Sequence, residues 1–171
     1  MRALAMHSPE RVIDLLAERR LVARSAVALY DAIAGKLERS NDERLLDAVR
    51  PLLIFRDEER EHDRWLADTI GALGADPDAI TGLARIAAFE LSGIARIVVD
   101  GDDDPMHLMH ALRAAELADV AGWELLAALA CEARDHEARL AFAQRAREDR
   151  AHVTYVTRVV TRIARAGVLG S

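Results

Sequence analysis

Two stretches of this chain carry apolar residues at helical spacing and break the stripe in the same way. The first reads Leu45, Val49, Leu52, Phe55, Glu59, His62, Leu66, Ile70, Leu73, and the second Phe142, Ala146, Asp149, His152, Val156, Val160, Ile163. Each is apolar except for a carboxylate and, three residues later, a histidine. Spacings of three and four put these residues on one helix face, which belongs against a core. An ionised carboxylate on such a face is costly unless it is paired or ligates a metal. The chain is therefore expected to fold so that two acid–histidine pairs meet in an apolar interior.

Composition agrees with helices. Ala fills 33 of 171 positions, Gly and Pro together 13, and aromatics are 4%. Such a balance favours helix and is poor in the β-branched and aromatic residues of sheets. At 51% hydrophobic and 30% charged, the chain can bury a core, and a disordered chain is excluded. The net charge is −6, and the basic residues are 22 arginines and one lysine, Lys36, with no basic block. Nucleic acid is therefore not an expected partner. The longest apolar runs, such as Leu125 to Cys131, are too short to span a bilayer. A lone Cys131 and the absence of a signal-peptide order at the start read as cytoplasmic.

The spacing predicts five helical segments in one domain over residues 1–171. The first starts at Ser8-Pro9-Glu10 and runs to about Glu38. The second opens on the capping-box pattern Ser40-Asn-Asp-Glu43, passes through Pro51 and ends near Gly71 to Gly74. A shorter helix begins at Asp76-Pro77-Asp78 and reaches about Val99. The fourth follows Gly101-Asp-Asp-Asp-Pro105 and continues to about Arg134. The last runs from Asp135-His136 to about Ala166. Four long helices with a short one in the connection between the second and third make an all-α four-helix bundle with one long crossover.

A third buried acid is expected on the fourth segment, whose stripe reads Leu108, Leu112, Glu116, Val120, Trp123, Ala127. The first segment, Leu16, Arg20, Ala23, Val27, Tyr30, Ile33, Leu37, carries no acid. Glu59 and Asp149 lie 90 residues apart, as do His62 and His152. Glu116 precedes Trp123 by seven residues, and Ala23 precedes Tyr30 by seven. The chain thus reads as two helix pairs of one design, with Ala23 where the repeat would place a carboxylate.

This pattern resembles the ferritin-like di-iron carboxylate superfamily, in which two helices each give a Glu and two give Glu-x-x-His. The segments Arg56-Asp-Glu-Glu-Arg-Glu-His62 and Glu116-Leu-Ala-Asp-Val-Ala-Gly-Trp-Glu-Leu-Leu126 are similar to small bacterial ferritin-like proteins of unsettled function. The resemblance covers roughly residues 10 to 165. It implies that Glu59 and Asp149 are bridging carboxylates, that His62 and His152 each bind one metal, and that Glu116 is the terminal ligand of the second. It also implies that Glu58 and Glu148 hold the opposite helix's His in its ligating tautomer. Asp149 stands where Glu is usual, and Ala23 removes the terminal ligand of the first metal. The nearest acids on that helix, Glu18 and Asp31, are not squarely on the stripe. A mixed carboxylate–imidazole site suits one or two ions of iron or manganese, with oxygen or peroxide redox chemistry if two bind.

Other residues carry plainer readings. Tyr30 and Trp123 read as core aromatics, Met106 and Met109 as packing residues, and Cys131 as a small buried side chain. Asp104-Pro-Met-His107 has the acid–histidine spacing but reads as a helix start, with His107 and His110 exposed. Arg145, Arg147 and Arg150 read as a solvated face. No His-x-x-x-His pair occurs, which disfavours a hemerythrin-type oxygen carrier. The competing reading is a metal-free bundle acting as an interaction or stress-associated structural protein, and Ala23 is the residue that favours it. A homodimer is compatible with either.

Overall fold

The structure is a computed structural model that describes residues 1–40 and 43–170. Its elements are α1 (Arg2–Ala5), α2 (Pro9–Glu38), α3 (Glu43–Ala72), α4 (Gly82–Val99), α5 (Pro105–Glu132) and α6 (His136–Leu169), with no strand among the described residues. Helix α2 packs on α3 and α5 on α6, while the crossover helix α4 lies against α2 and α5. The short α1 was not foreseen. The capping box expected at Ser40–Glu43 runs through residues 41 and 42, which lie outside the described residues. Helix α3 continues through Pro51 as expected.

Local chemistry sets the helix ends. Pro9 occupies the first turn of α2, but Ser8 makes no side-chain cap bond. The crossover helix starts later than the sequence suggests, at Gly82 rather than near Asp78. Asp76 Oδ1 accepts from the Asp78 backbone N–H at 3.0 Å, closing a local turn that competes with helix. Arg20 of α2 holds that turn through the Pro77 carbonyl and the Asp78 carboxylate. Thr81 then caps α4 through Ala84 N, and Asp14 of α2 accepts from Leu83 N at 2.8 Å. Asp104 caps α5 through Met106 N at 2.8 Å, and His107 is exposed beside Asp102. That third acid–histidine pair is a helix cap.

The core falls into two apolar clusters. One holds Leu29, Ile33, Leu37, Leu52, Leu108, Leu112 and Val156; the other holds Leu16, Leu66, Ile70, Trp123, Leu126 and Phe142. Along α3 and α5 the chain passes from the first cluster to the second, and along α2 and α6 it passes the other way. Between them, at one level of all four long helices, the buried residues are mostly polar: Arg19 with Ala23, Glu59 with His62, Glu116 with Asp119, and Asp149 with His152. Backbones of α3 and α6 approach one another less closely than those of α2 and α3 or α5 and α6. The acid–histidine side chains span that gap.

Two expectations are corrected. Cys131 is exposed, because the end of α5 turns it out of the stripe. Arg145 is not on a solvated face: its guanidinium lies 3.7 Å from the centre of the Trp65 ring, a cation–π contact that buries the stem.

The α5–α6 joint is closed by Arg134 in the left-handed region, at φ 55°, and by Asp135. Asp135 Oδ1 accepts from Ala138 N at 3.0 Å, capping α6, and Oδ2 accepts from Leu4 N at 3.1 Å, docking α1. Burial works to raise its pKa, but bonds from the terminal amine and these two N–H groups hold it at about 2. Asp135→Ala is expected to cost about 1–2 kcal/mol at pH 7 in thermal unfolding. The folded value lies below the unfolded one of about 3.9, so this contribution is complete above about pH 4. It is lost as pH falls toward 2, and the gap between wild type and variant should close over that range.

Candidate metal centre

All five residues singled out by the stripes meet in the polar layer. Glu59, Asp149 and His152 are fully buried, and Glu116 and His62 are 1% and 3% exposed. His62 Nδ1 lies 3.5 Å from Glu59 Oε2 and 3.7 Å from Asp149 Oδ1. His152 Nδ1 lies 3.2 Å from Glu116 Oε2, 3.5 Å from Glu59 Oε1 and 3.8 Å from Asp149 Oδ1. Two groups of donor atoms are close enough to hold an ion each: Glu59, His62 and Asp149, and Glu59, Glu116 and His152. Glu59 belongs to both.

The histidines are set by carboxylates from outside. His62 Nε2 is 3.0 Å from Glu148 Oε2 and His152 Nε2 is 2.6 Å from Glu58 Oε2. A carboxylate only accepts, so each Nε2 carries the proton and each Nδ1 faces the interior. The exchange is reciprocal: the acid before Asp149 on α6 orients the α3 histidine, and the acid before Glu59 on α3 orients the α6 histidine. Tyr30 donates to Glu116 Oε1 at 2.7 Å, fixing that carboxylate from α2. The Phe55 ring lies 4.3 Å from that of His152, and Trp123 meets His62 edge-on at 5.6 Å. Tyr30 and Trp123 thus pack in the core, as read from the sequence, and also touch the site.

What the inner carboxylates lack is partners. Both oxygens of Glu59, both of Asp149 and His62 Nδ1 are buried without a hydrogen bond. Buried polar atoms are normally satisfied, and these five orphans converge on one space that could hold a cation. Oxygen and imidazole donors around a shared carboxylate fit a divalent transition metal. As the residues stand, protons offset the acidity. Burial, Asp119, Glu59 and Glu116 push Asp149 up to about 11. Burial works to lower His152, but its hydrogen bond to Glu116 and the facing Glu59 carboxylate take it to about 11. Burial likewise raises Glu116. Glu59 goes down despite burial, because both histidines face it.

Ala23 is fully buried at this level and offers no ligand atom. Neither nearby acid of α2 replaces it, since Glu18 pairs with Arg19 and Asp31 pairs with Arg56 and Arg60 on the surface. The sequence reading missed Arg19 and Asp119, which are 4% and 2% exposed and joined at 2.9 Å. The apolar stripes of the sequence run through Arg20 and Val120, each one position away. The signal that could have found them is the seam itself, because i+3 from Leu16 is Arg19 and i+3 from Glu116 is Asp119.

Because neither Asp149 oxygen has a partner, this residue should not stabilise the metal-free fold. Asp149→Leu, similar in bulk and apolar, is expected to melt at or above wild type in chelator-treated protein. A loss of more than about 2 kcal/mol would show that Asp149 holds the core together instead.

The fold matches that of a solved protein described as ferritin like, diiron-carboxylate, from Bacillus anthracis str. Ames, with a TM-score of 0.68. The match covers 88% of this chain and 95% of that one at 16% identity. No protein-family model matches the sequence, and no curated protein matches it. No described helix is long and apolar enough to cross a membrane. At that identity the likeness carries the fold alone, and the chain has the ferritin-like helical-bundle fold.

Proposed function

We propose that this chain is a metal-binding protein that takes iron or manganese into the bundle core through Glu59, His62, Glu116, Asp149 and His152. The observation that carries the reading is the convergence of unpartnered Glu59 and Asp149 oxygens on the histidine Nδ1 atoms. Glu59 is the shared carboxylate, and Asp149 faces both histidines. Glu58 and Glu148 hold the two imidazoles with Nδ1 turned inward, and Tyr30 holds Glu116 toward His152. Phe55 packs on the His152 ring and Trp123 on the His62 ring. A bound pair of such ions would supply redox chemistry toward oxygen or peroxide. The diiron-carboxylate description of the structural neighbour supports this reading.

The group around His152 has its terminal acid in Glu116. The group around His62 lacks the one that α2 would supply at Ala23. The buried alanine at position 23 is the observation favouring the second reading, a metal-free bundle with an interaction or stress-associated structural role.

Metal analysis separates the two. Protein purified without chelator is expected to contain at least about one iron or manganese per chain. Added Mn2+ or Fe2+ should raise the melting temperature, by a free energy of about 2.7 kcal/mol at a concentration about 100 times Kd. Glu59→Ala should lose both effects. No metal in wild type, with a melting temperature indifferent to either ion, contradicts the proposal and leaves the metal-free bundle.

A further inference from the structure

Asp119 follows Glu116 by one helical turn of α5 and is buried with it. One oxygen, Oδ1, accepts from Arg19 Nη1 at 2.9 Å, while Oδ2 is buried with no partner. Arg19 reaches this position by an unusual route. Its Nη1 also donates to the backbone carbonyls of Asp119 at 3.0 Å and Ala118 at 3.4 Å, and its other end pairs with Glu18. The guanidinium rests on Gly122, where any Cβ would collide with it. A buried ion pair of this kind is weak support for stability, since an apolar pair of similar volume would often serve as well or better. The sequence nevertheless spends an arginine, an aspartate and a glycine on placing one carboxylate.

Chain direction says where that carboxylate goes. Helices α3 and α5 both run from the first apolar cluster to the second. Along α5, Glu116 touches His152 at 3.2 Å, Asp119 comes next, and Trp123 then packs on His62. Asp119 therefore lies on the His62 side of the layer, the side whose terminal acid is absent at Ala23. Among neighbouring charges Asp119 is the one Asp149 feels most, and Asp119 feels Glu59 most. It stands outside the two tight groups of donor atoms, one helical turn beyond Glu116.

We propose that Asp119 is the terminal carboxylate of the His62 subsite, supplied by α5 where α2 offers only Ala23, and that Arg19 seated on Gly122 orients it. This inference rests on the metal-binding reading above. It replaces an incomplete first subsite with one completed from the opposite helix, with Oδ2 as the ligand atom and Oδ1 kept by Arg19.

The test is equilibrium dialysis against Mn2+ with metal analysis and circular dichroism of wild type, Ala23→Glu, Asp119→Asn and the double variant Ala23→Glu with Asp119→Asn. Wild type is expected to bind about two ions per chain, Ala23→Glu no more, Asp119→Asn about one, and the double variant about two again. Asp119→Asn could unfold by leaving a buried guanidinium unmatched, so Arg19→Met with Asp119→Asn is the companion, also expected at about one. A folded Asp119→Asn or companion that still binds as much as wild type overturns the inference. So does a wild type that binds about one ion and gains a second only with Ala23→Glu, which would mean the subsite is open. No ion bound by wild type instead overturns the metal-binding reading on which this one depends.

Discussion

An apolar bundle interior accepts carboxylates only where something positive meets them, and that constraint organises the whole structure. Glu59, Glu116, Asp119 and Asp149 sit at one level of the core, between two clusters of Leu, Ile, Val and aromatic residues. Stripped of compensation, such a layer would cost several kcal/mol per charge. Two histidines and Arg19 supply part of what is needed, and burial beside other acids pushes the Asp149 pKa up, which favours a proton there. The unsatisfied oxygens of Glu59 and Asp149 mark what remains. The apolar clusters on either side hold four helices in register so that these groups converge, which is why the fold can tolerate a polar centre at all.

Around that centre the chain is nearly two-fold symmetric. Glu148 orients His62 and Glu58 orients His152, each across to the other helix. Trp123 packs on His62, and Tyr30 lies edge-on to His152. Symmetry fails at the lone acid of α5. Glu116 is held by Tyr30 on one side, while on the other the matching position is Ala23. Arg19 and Asp119 occupy the neighbouring turns of the same two helices, so the break in symmetry and the extra buried ion pair are found together.

Most of this was legible in the sequence because burial on a helix has a period. Stripes of three and four put Glu59, His62, Glu116, Asp149 and His152 in the core, where all five are buried, and the repeat offset pointed to Ala23. The pairing of Glu58 and Glu148 with opposite histidines followed from the family resemblance. What was missed followed from the same method. On α2 the apolar residues allow two adjacent seams, and charge gave no reason to prefer Arg19 over Arg20. On α5 a stripe through apolar Val120 hid Asp119. The later start of α4 depends on Arg20 and Asp14 reaching from another helix, which no local pattern encodes. The partner that draws Arg145 out of solvent, Trp65, lies on a different helix, which no pattern along α6 encodes.

The central claim is that the polar layer is a cation site rather than a self-neutralising network. Anomalous diffraction from crystals grown with Mn2+, collected at the manganese edge, tests it directly. The account predicts a peak bounded by the Glu59 and Asp149 carboxylates and the Nδ1 atoms of His62 and His152, with Glu58 and Glu148 still on the Nε2 atoms. Featureless anomalous density there at saturating Mn2+, with His152 still hydrogen-bonded to Glu116, would contradict it.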